Sequence, residues 1–232
     1  MHDSDERYYH IMSIEKHVMN VQDEGTGSNH EKMRQKAAEI FIGYDLDAMA
    51  AKLGLEYDKE YIYIEMFSRK YRVCKEDGFA EWSEDGFKTA VTAGFNESMT
   101  LYDLIAYSKE GAKPSGDYTK INNLADTVTG SYYAGKGMVD SMAKEFEGQA
   151  KELAKGCEAI GGTPYGRGDV SYLIPFWKNL CFVLSFWDAD DEFPGQLNVY
   201  ADSSMKDFLH YETIWYAEVH MMQMIKRAGG LK

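Results

Sequence analysis

The chain has 232 residues, of which 38 are acidic and 25 are Lys or Arg, so its formal net charge is −13. This length suits one domain of ordinary size or two small ones, and a hydrophobic content of 44 % supplies a core that a disordered chain would lack. The acidic balance removes the positive surface that phosphate backbones require. We therefore predict neither nucleic acids nor membranes as partners.

The cysteines and the N-terminus indicate the compartment. Cys74, Cys157 and Cys181 form no Cys-x-x-Cys pair, which excludes a disulfide framework and a four-cysteine zinc or iron–sulfur site within this chain. The first six residues include three acidic ones where a signal peptide would be basic, and no apolar run approaches the roughly 20 residues of a membrane-spanning helix. We expect a protein of the reducing cytoplasm.

The order of the predicted elements indicates the fold class. Apolar residues at three- and four-residue steps predict helices over 8–21, 31–42, 98–108, 136–153 and 211–227, and Asp45 and Gly54 bound another over 46–53. Strands are predicted over 61–67, 71–74, 170–176, 180–187 and 196–202. Helices and strands are segregated along the chain, which predicts an α+β fold with a mainly antiparallel sheet backed by helices.

Segments with weak periodicity complete this prediction. Residues 23–29 are polar and Gly-rich, so we expect residues 1–30 to form an N-terminal helical extension with its linker, and residues 31–232 to form a single α+β domain. Residues 113–135 predict a long ordered loop, a kind of segment that is often functional. Thr100 and Asp103 have capping-box spacing in the helix over 98–108. Gly161 is expected to end, in a left-handed conformation, the helix that precedes it.

Residues 188–192 place four carboxylates in five residues between two predicted strands. Such oxygen ligands suit a hard cation, but acidic side chains are also common in hairpin turns, where they accept hydrogen bonds from backbone amides. The EF-hand spacing is missing, so the structural turn is the favoured interpretation and no metal site is predicted.

Residues 130–137, Gly-Ser-Tyr-Tyr-Ala-Gly-Lys-Gly, nearly match a phosphate-binding loop and precede a predicted helix. Gly137 stands where that loop needs a hydroxyl for Mg²⁺, which disfavours nucleotide binding. Tyr132, Tyr133 and Lys136 remain candidates for contacts with an organic ligand.

The last predicted helix carries polar residues at four-residue steps. Glu212, Tyr216 and His220 therefore share one face. An amphipathic helix needs a polar face in any case, so a solvent-facing stripe is favoured over a ligand site. The 13 methionines and the abundant Tyr and Trp residues would fill an irregular core or line a pocket for a large flat ligand.

From about residue 40 to the end, the chain resembles an uncharacterised prokaryotic family, domain of unknown function 3786, found largely in anaerobes. Four motifs carry the resemblance: Ala-Ile-Gly-Gly at 159–162, Gly-Asp-Val at 168–170, Asp-Ser-Ser at 202–204 and Trp-Asp-Ala-Asp-Asp-Glu-Phe-Pro at 187–194, similar to the family pattern W-E-G-D-E-E-F-P. The family has no established activity, so the resemblance implies no catalytic residue. Relatives fused to a cysteine-rich iron–sulfur segment imply a tetrapyrrole or corrinoid ligand and an iron–sulfur protein partner, although this chain lacks those cysteines.

The sequence is compatible with three functions. It identifies neither a cofactor nor whether the protein is an enzyme. The leading hypothesis is a small-ligand or cofactor-binding protein of anaerobic metabolism, with a tetrapyrrole-like ligand. The alternatives are a metal-assisted hydrolase that uses the acidic turn with His210 or His220, and a non-catalytic subunit of a redox complex. The candidate ligand-binding residues are Tyr132, Tyr133, Lys136, Trp187, Asp190, Asp191, Glu192, Glu212, Tyr216 and His220.

Overall fold

The computed structural model describes residues 29–125 and 138–231. Two predicted segments, the helix over 8–21 and the Gly-rich stretch at 130–137, lie outside these residues, as does most of the 23–29 linker. The described α-helices are α1 (Asn29–Phe41), α2 (Leu46–Leu53), α3 (Phe95–Tyr107), α4 (Met138–Phe146), α5 (Ala150–Ala159) and α6 (Tyr211–Gly229), with 3-10 turns η1 (Ile121–Leu124) and η2 (Met205–Asp207).

The described strands form two antiparallel sheets of five strands each, in the orders β1-β2-β3-β4-β5 and β6-β10-β9-β8-β7. The α+β prediction is therefore confirmed. The strands are β1 (Glu56–Tyr57), β2 (Tyr61–Met66), β3 (Arg69–Cys74), β4 (Ala80–Ser83), β5 (Val91–Thr92), β6 (Tyr118–Lys120), β7 (Thr163–Pro164), β8 (Val170–Trp177), β9 (Leu180–Trp187) and β10 (Gln196–Asp202).

The described residues divide into two compact units. The first contains residues 29–64 and 70–110, and the second contains residues 65–69, 111–125 and 138–231. In the first unit, α3 packs against α1 and α2. In the second, α5 packs against β8 and α6, and α4 packs against β10.

The central strand β9 explains where the core of the second unit lies. Phe182, Leu184 and Phe186 alternate on one face of β9 and are each 0 % exposed, because side chains two residues apart point to the same side of a sheet. Phe146 of α4 packs edge-on against Phe186, with ring centroids 6.2 Å apart. Helix α4 therefore covers part of this face.

The structure confirms the predictions of helix ends that depend on a single capping residue. The Asp45 carboxylate accepts a hydrogen bond from the Ala48 amide at 3.0 Å, as an N-cap does. Gly54 and Gly161 adopt the left-handed conformation, with φ of 62° and 86°, in which glycine avoids the steric cost of a side chain.

Other predicted boundaries were wrong. Helix α3 begins at Phe95 rather than at 98, and Glu97, not Asp103, accepts the amide hydrogen bond of the cap, from Gly94 at 2.5 Å. The single helix predicted over 136–153 is two helices, α4 and α5, because the chain turns at Gly148 with φ of 71°. The loop predicted over 113–135 contains β6 and η1. Strands β1, β4, β5, β6 and β7 have two to four residues each, too few to show a period.

No helix in the described part of the chain is long and apolar enough to span a membrane.

Candidate functional site

The acidic turn at 188–192 uses two of its carboxylates to hold the backbone. Asp190 Oδ1 accepts hydrogen bonds from the amides of Glu192 and Phe193 at 2.8 and 2.7 Å, and these bonds hold the pKa of Asp190 below its ordinary value. Asp188 Oδ1 accepts from the amides of Gly148 and Ala189, both at 2.8 Å. These bonds support the interpretation of a structural turn.

The remaining acids of the turn, Asp191 and Glu192, are exposed, and Trp187 ahead of them is 40 % exposed. Among residues 29–125 and 138–231, no group of three or more His, Cys, Asp or Glu side chains is placed to hold a metal ion. The predicted residues of the turn therefore form an exposed acidic surface rather than an enclosed site.

The stripe formed by Glu212, Tyr216 and His220 runs from the surface into the core. Glu212 is exposed, Tyr216 is half-buried, and His220 is only 3 % exposed, so the expectation of a solvent-facing stripe was wrong at His220. Burial, aided by the charges of Arg69 and Arg227, lowers the pKa of His220 to about 3. Its ring lies 5.8 Å from that of Phe67, so His220 is a neutral core residue at physiological pH.

Three predicted ligand contacts are not assigned a place in the fold. Tyr132, Tyr133 and Lys136 lie outside the described residues. Whether they lie near α6 therefore stays a prediction.

A different part of α6 carries buried polar atoms that lack partners. Tyr211, Trp215 and Glu218 follow one another at steps of four and three residues, which places them on one stripe of the helix. Tyr211 Oη, Trp215 Nε1 and Glu218 Oε2 are all buried and make no hydrogen bond with the described residues. We call these three residues the α6 polar cluster.

The α6 polar cluster is compact at its N-terminal end. The rings of Tyr211 and Trp215 meet edge-on, with centroids 6.2 Å apart. Burial raises the pKa of Tyr211; the Trp215 indole offsets part of that rise, and the carboxyl of Glu218 adds to it. The phenol and indole are thus close, although they do not meet the geometry of a hydrogen bond.

Glu218 is the charged residue of the α6 polar cluster, and it is 3 % exposed. Burial is the cause that raises its pKa to about 8, because a carboxylate loses its hydration in an apolar environment. At neutral pH its carboxyl group therefore keeps its proton.

Neighbouring elements fix α6 in place. Gly156 of α5 and Gly229 of α6 allow the two helices to approach closely, since a Cβ at either position would lie 2.3 Å from a backbone oxygen of the other helix. The turn η1 also packs against α6. It carries Asn122, whose buried Oδ1 has no partner among the described residues.

The other buried carboxyl of the second unit, Asp202 at the end of β10, is fully hydrogen-bonded. It accepts from the amide and hydroxyl of Ser115, the amide of Gly116, and the amide and hydroxyl of Ser204, at 2.6 to 3.0 Å. Burial alone would raise the pKa of Asp202, but the bonds from Ser204 and Ser115 outweigh it and lower that pKa. Asp202 therefore anchors loops, and both of its oxygens have partners.

The first unit has a smaller group of the same kind. Arg34 Nη1 and Tyr102 Oη are buried and make no hydrogen bond with the described residues. The Arg34 guanidinium already donates to Glu31 through Nε and Nη2, at 3.0 and 2.6 Å, and lies over the Phe79 ring. Its charge is thus compensated, which makes this group a weaker candidate than the α6 polar cluster.

Sequence reasoning missed Glu218, Tyr211 and Asn122 as candidates. One signal was available for Glu218, because its neighbours on the same helix face, Ile214, Met221 and Met222, are apolar. An acid on the buried face of a helix is costly unless it is paired or serves a function. No pattern in the sequence singles out Asn122.

The comparisons with known proteins concern the family alone. None of the curated proteins and none of the solved structures compared with the chain matches it. A family model described as a domain of unknown function, DUF3786, matches residues 45–224, which contain both the acidic turn and the α6 polar cluster. The chain therefore belongs to the DUF3786 family.

Proposed function

We propose that this protein binds a small polar organic molecule at the α6 polar cluster. The observation that carries the proposal is that Tyr211 Oη, Trp215 Nε1 and Glu218 Oε2 share one stripe of a helix and are all buried without partners in the described structure. A buried polar group without a partner costs about 1–3 kcal/mol. A bound molecule that supplies the partners would recover this cost.

The position of the α6 polar cluster supports a ligand site. Trp215 is half-buried, whereas Tyr211 and Glu218 on either side of it along the stripe are buried, so the cluster lies beneath the surface and is partly accessible at Trp215. Ligand sites commonly combine apolar or aromatic walls with a few convergent polar groups. A carboxyl with a strongly shifted pKa in such a place is a recognised marker of a functional site.

The finer hypothesis of a tetrapyrrole ligand gains less support from the described residues. A haem or corrinoid metal takes an imidazole or thioether as axial ligand, but His220, Met221 and Met222 are at most 3 % exposed and belong to the core. The metal-assisted hydrolase, proposed with Asp190, Asp191 and Glu192 and with His210 or His220, gains less support because Asp190 already accepts two backbone amides and His220 is buried. We therefore favour a small polar ligand, with a role in anaerobic metabolism as part of the proposal, and leave the redox-complex subunit as a separate hypothesis.

The test exposes the purified protein to the small-molecule fraction of the cells that produce it, followed by ultrafiltration and mass spectrometry of what is released on denaturation. The variants are Glu218→Leu and Trp215→Phe, and the matched control is Glu212→Gln, on the exposed side of the same helix. We expect wild type and the control to retain the same compound and the two cluster variants to lose it. Equal retention by all four proteins, or retention by none, would contradict the proposal.

A parallel titration with haem and with cobalamin tests the tetrapyrrole form. We expect unchanged Soret and corrin bands. A shifted band that responds to Glu218→Leu would restore the tetrapyrrole as the ligand, and one that responds only to His220→Gln would move the binding site away from the α6 polar cluster.

A further inference from the structure

The atoms of the α6 polar cluster differ in what they can offer a ligand. The Trp215 indole N–H only donates, the Tyr211 hydroxyl can donate, and the Glu218 carboxyl donates when it carries its proton. The cluster contains no Lys, Arg or charged His. Three groups able to donate along one stripe of the helix, with no cation among them, suit an uncharged molecule that carries oxygen acceptors.

We propose that the α6 polar cluster recognises an uncharged molecule through its oxygen acceptors, as in a carboxamide or a ketone, with Trp215, Tyr211 and Glu218 as the donors along the stripe. This inference rests on the proposed function and names the class of its ligand. An anionic carboxylate would enter a buried site in which no cation of the described residues acts on Glu218, which is costly. An ammonium ion would meet the Trp215 N–H, which cannot accept a hydrogen bond.

The protonation state of Glu218 supports this assignment. Its pKa of about 8 leaves the carboxyl protonated at pH 7, so that it can donate to a carbonyl oxygen as neutral buried acids do in oxyanion-binding sites. Tyr211 also keeps its proton there, because burial raises its pKa.

Charged groups on the elements that pack against α6 do not change the protonation state of Glu218. Helix α5 packs against α6 and carries Lys151, Glu152, Lys155, Cys157 and Glu158, and η1 contains no titratable residue. Helix α4 contacts α6 through the ion pair between Glu145 and Lys226. None of these groups, nor Glu212 on α6 itself, contributes to the shift of the Glu218 pKa, whose cause is burial.

The experiment uses five probes with five non-hydrogen atoms each: propionamide, butanone, propionate, n-butylammonium and 1-butanol. Each is titrated into the millimolar range against protein labelled with ¹⁵N at the tryptophan indoles, and the resonance of the Trp215 Nε1–H is followed. The chain has four tryptophans, and Trp215→Phe identifies the resonance. Probes of this size bind weakly, so relative affinities are the readout.

We expect propionamide and butanone to shift the Trp215 resonance downfield at pH 7, and the two charged probes and the alcohol to have little effect. Raising the pH from 7 to 9 should weaken propionamide binding about tenfold, because the protonated fraction of Glu218 falls by that factor around a pKa of about 8. Glu218→Gln keeps an N–H donor and should bind propionamide equally at both pH values, whereas Glu218→Leu should bind it more weakly at both.

Three outcomes would overturn this inference. Tighter binding of n-butylammonium with rising pH would make Glu218 a carboxylate that pairs with a cation. Preferential binding of propionate would make the ligand an anion. In both cases a small molecule still binds at the α6 polar cluster and the proposed function stands, whereas no shift of Trp215 with any probe, together with no retained compound in the extract, would overturn both.

Discussion

Asp202 and Glu218 are both buried carboxyl groups of the second unit, yet their surroundings differ. Asp202 receives five hydrogen bonds from Ser115, Gly116 and Ser204, and its pKa is lowered. Glu218 has an oxygen without a partner among the described residues, and its pKa is raised to about 8. Burial is common to both, so the difference lies in the donors. Asp202 anchors loops through its hydrogen bonds, and Glu218 is the acid at which we propose that a ligand binds.

The largest expected effect on the free energy of unfolding comes from removing the hydrogen-bonded carboxylate of Asp202. Asp202→Ala should destabilise the protein by roughly 3–5 kcal/mol, because a fully buried carboxylate that accepts five hydrogen bonds from Ser115, Gly116 and Ser204 is lost. Urea unfolding at pH 7 measures this change, with the exposed Asp191→Asn as the control. A decrease in the free energy of unfolding below about 1 kcal/mol would show that Asp202 does not anchor the fold. Asp202 and Glu218 would then not differ in their contribution to stability.

Glu218, whose Oε2 has no partner among the described residues, should make the folded protein less stable as the pH rises. Between pH 4.5, the ordinary pKa of Glu, and about 8, folded Glu218 holds a proton that the unfolded chain has released. Stability should therefore fall with rising pH by about 1.4 kcal/mol per unit in this window. Urea unfolding at pH 6 and pH 8 should show a loss of about 2–3 kcal/mol in wild type and in Glu212→Gln, but not in Glu218→Gln. An equal loss in all three would mean that Glu218 is ionised in the folded protein.

His220, on another side of the same helix, gives a similar effect of opposite sign. Between about 3 and its ordinary value of 6.5, folded His220 lacks a proton that the unfolded chain binds, so stability should fall as pH falls. Relative to His220→Gln, wild type should lose about 3 kcal/mol between pH 7 and 4.5. The comparison with the variant matters because Asp202 and other acids with lowered pKa values also lose stabilising interactions at still lower pH. A constant difference would indicate that His220 is protonated in the folded protein.

Together, Glu218 and His220 predict the shape of the stability profile. Their two slopes oppose each other between pH 4.5 and 6.5, so their combined contribution should be flat there and fall on either side. Glu218→Gln should remove the alkaline decline, and His220→Gln the acid one.

The smallest effect is expected at the acidic turn. Asp190→Ala removes the acceptor of the Glu192 and Phe193 amides, but these groups are exposed and water replaces the carboxylate. A melting curve should shift far less than for Asp202→Ala. Titration with Ca²⁺, Mg²⁺ or Mn²⁺ should give no binding heat that depends on Asp190; such heat would return the turn to the candidate metal sites.

Much of the fold follows from the sequence because its signals are local. The N-cap at Asp45, the stop at Gly54 and the apolar runs of β8, β9 and β10 each depend on a few neighbouring residues and predict elements that the structure contains. The short strands β4 to β7 were missed because pairing with a longer neighbour, rather than their own period, makes them strands.

The acidic turn could be predicted as a structural turn, since an acid near free amides accepts their hydrogen bonds whatever the rest of the chain does. The sequence could not show in this way that Asp202 is paired with donors and that Glu218 is not. Asp202 finds its donors at Ser115 and Gly116, more than 80 residues away, and Glu218 becomes isolated only when α6 is buried. The sequence by itself determined most of the described helices, the longer strands, the acidic character and the family-like motifs. Only the tertiary structure decided which acid is paired and which is not, because burial and long-range hydrogen bonds exist only after the chain has folded.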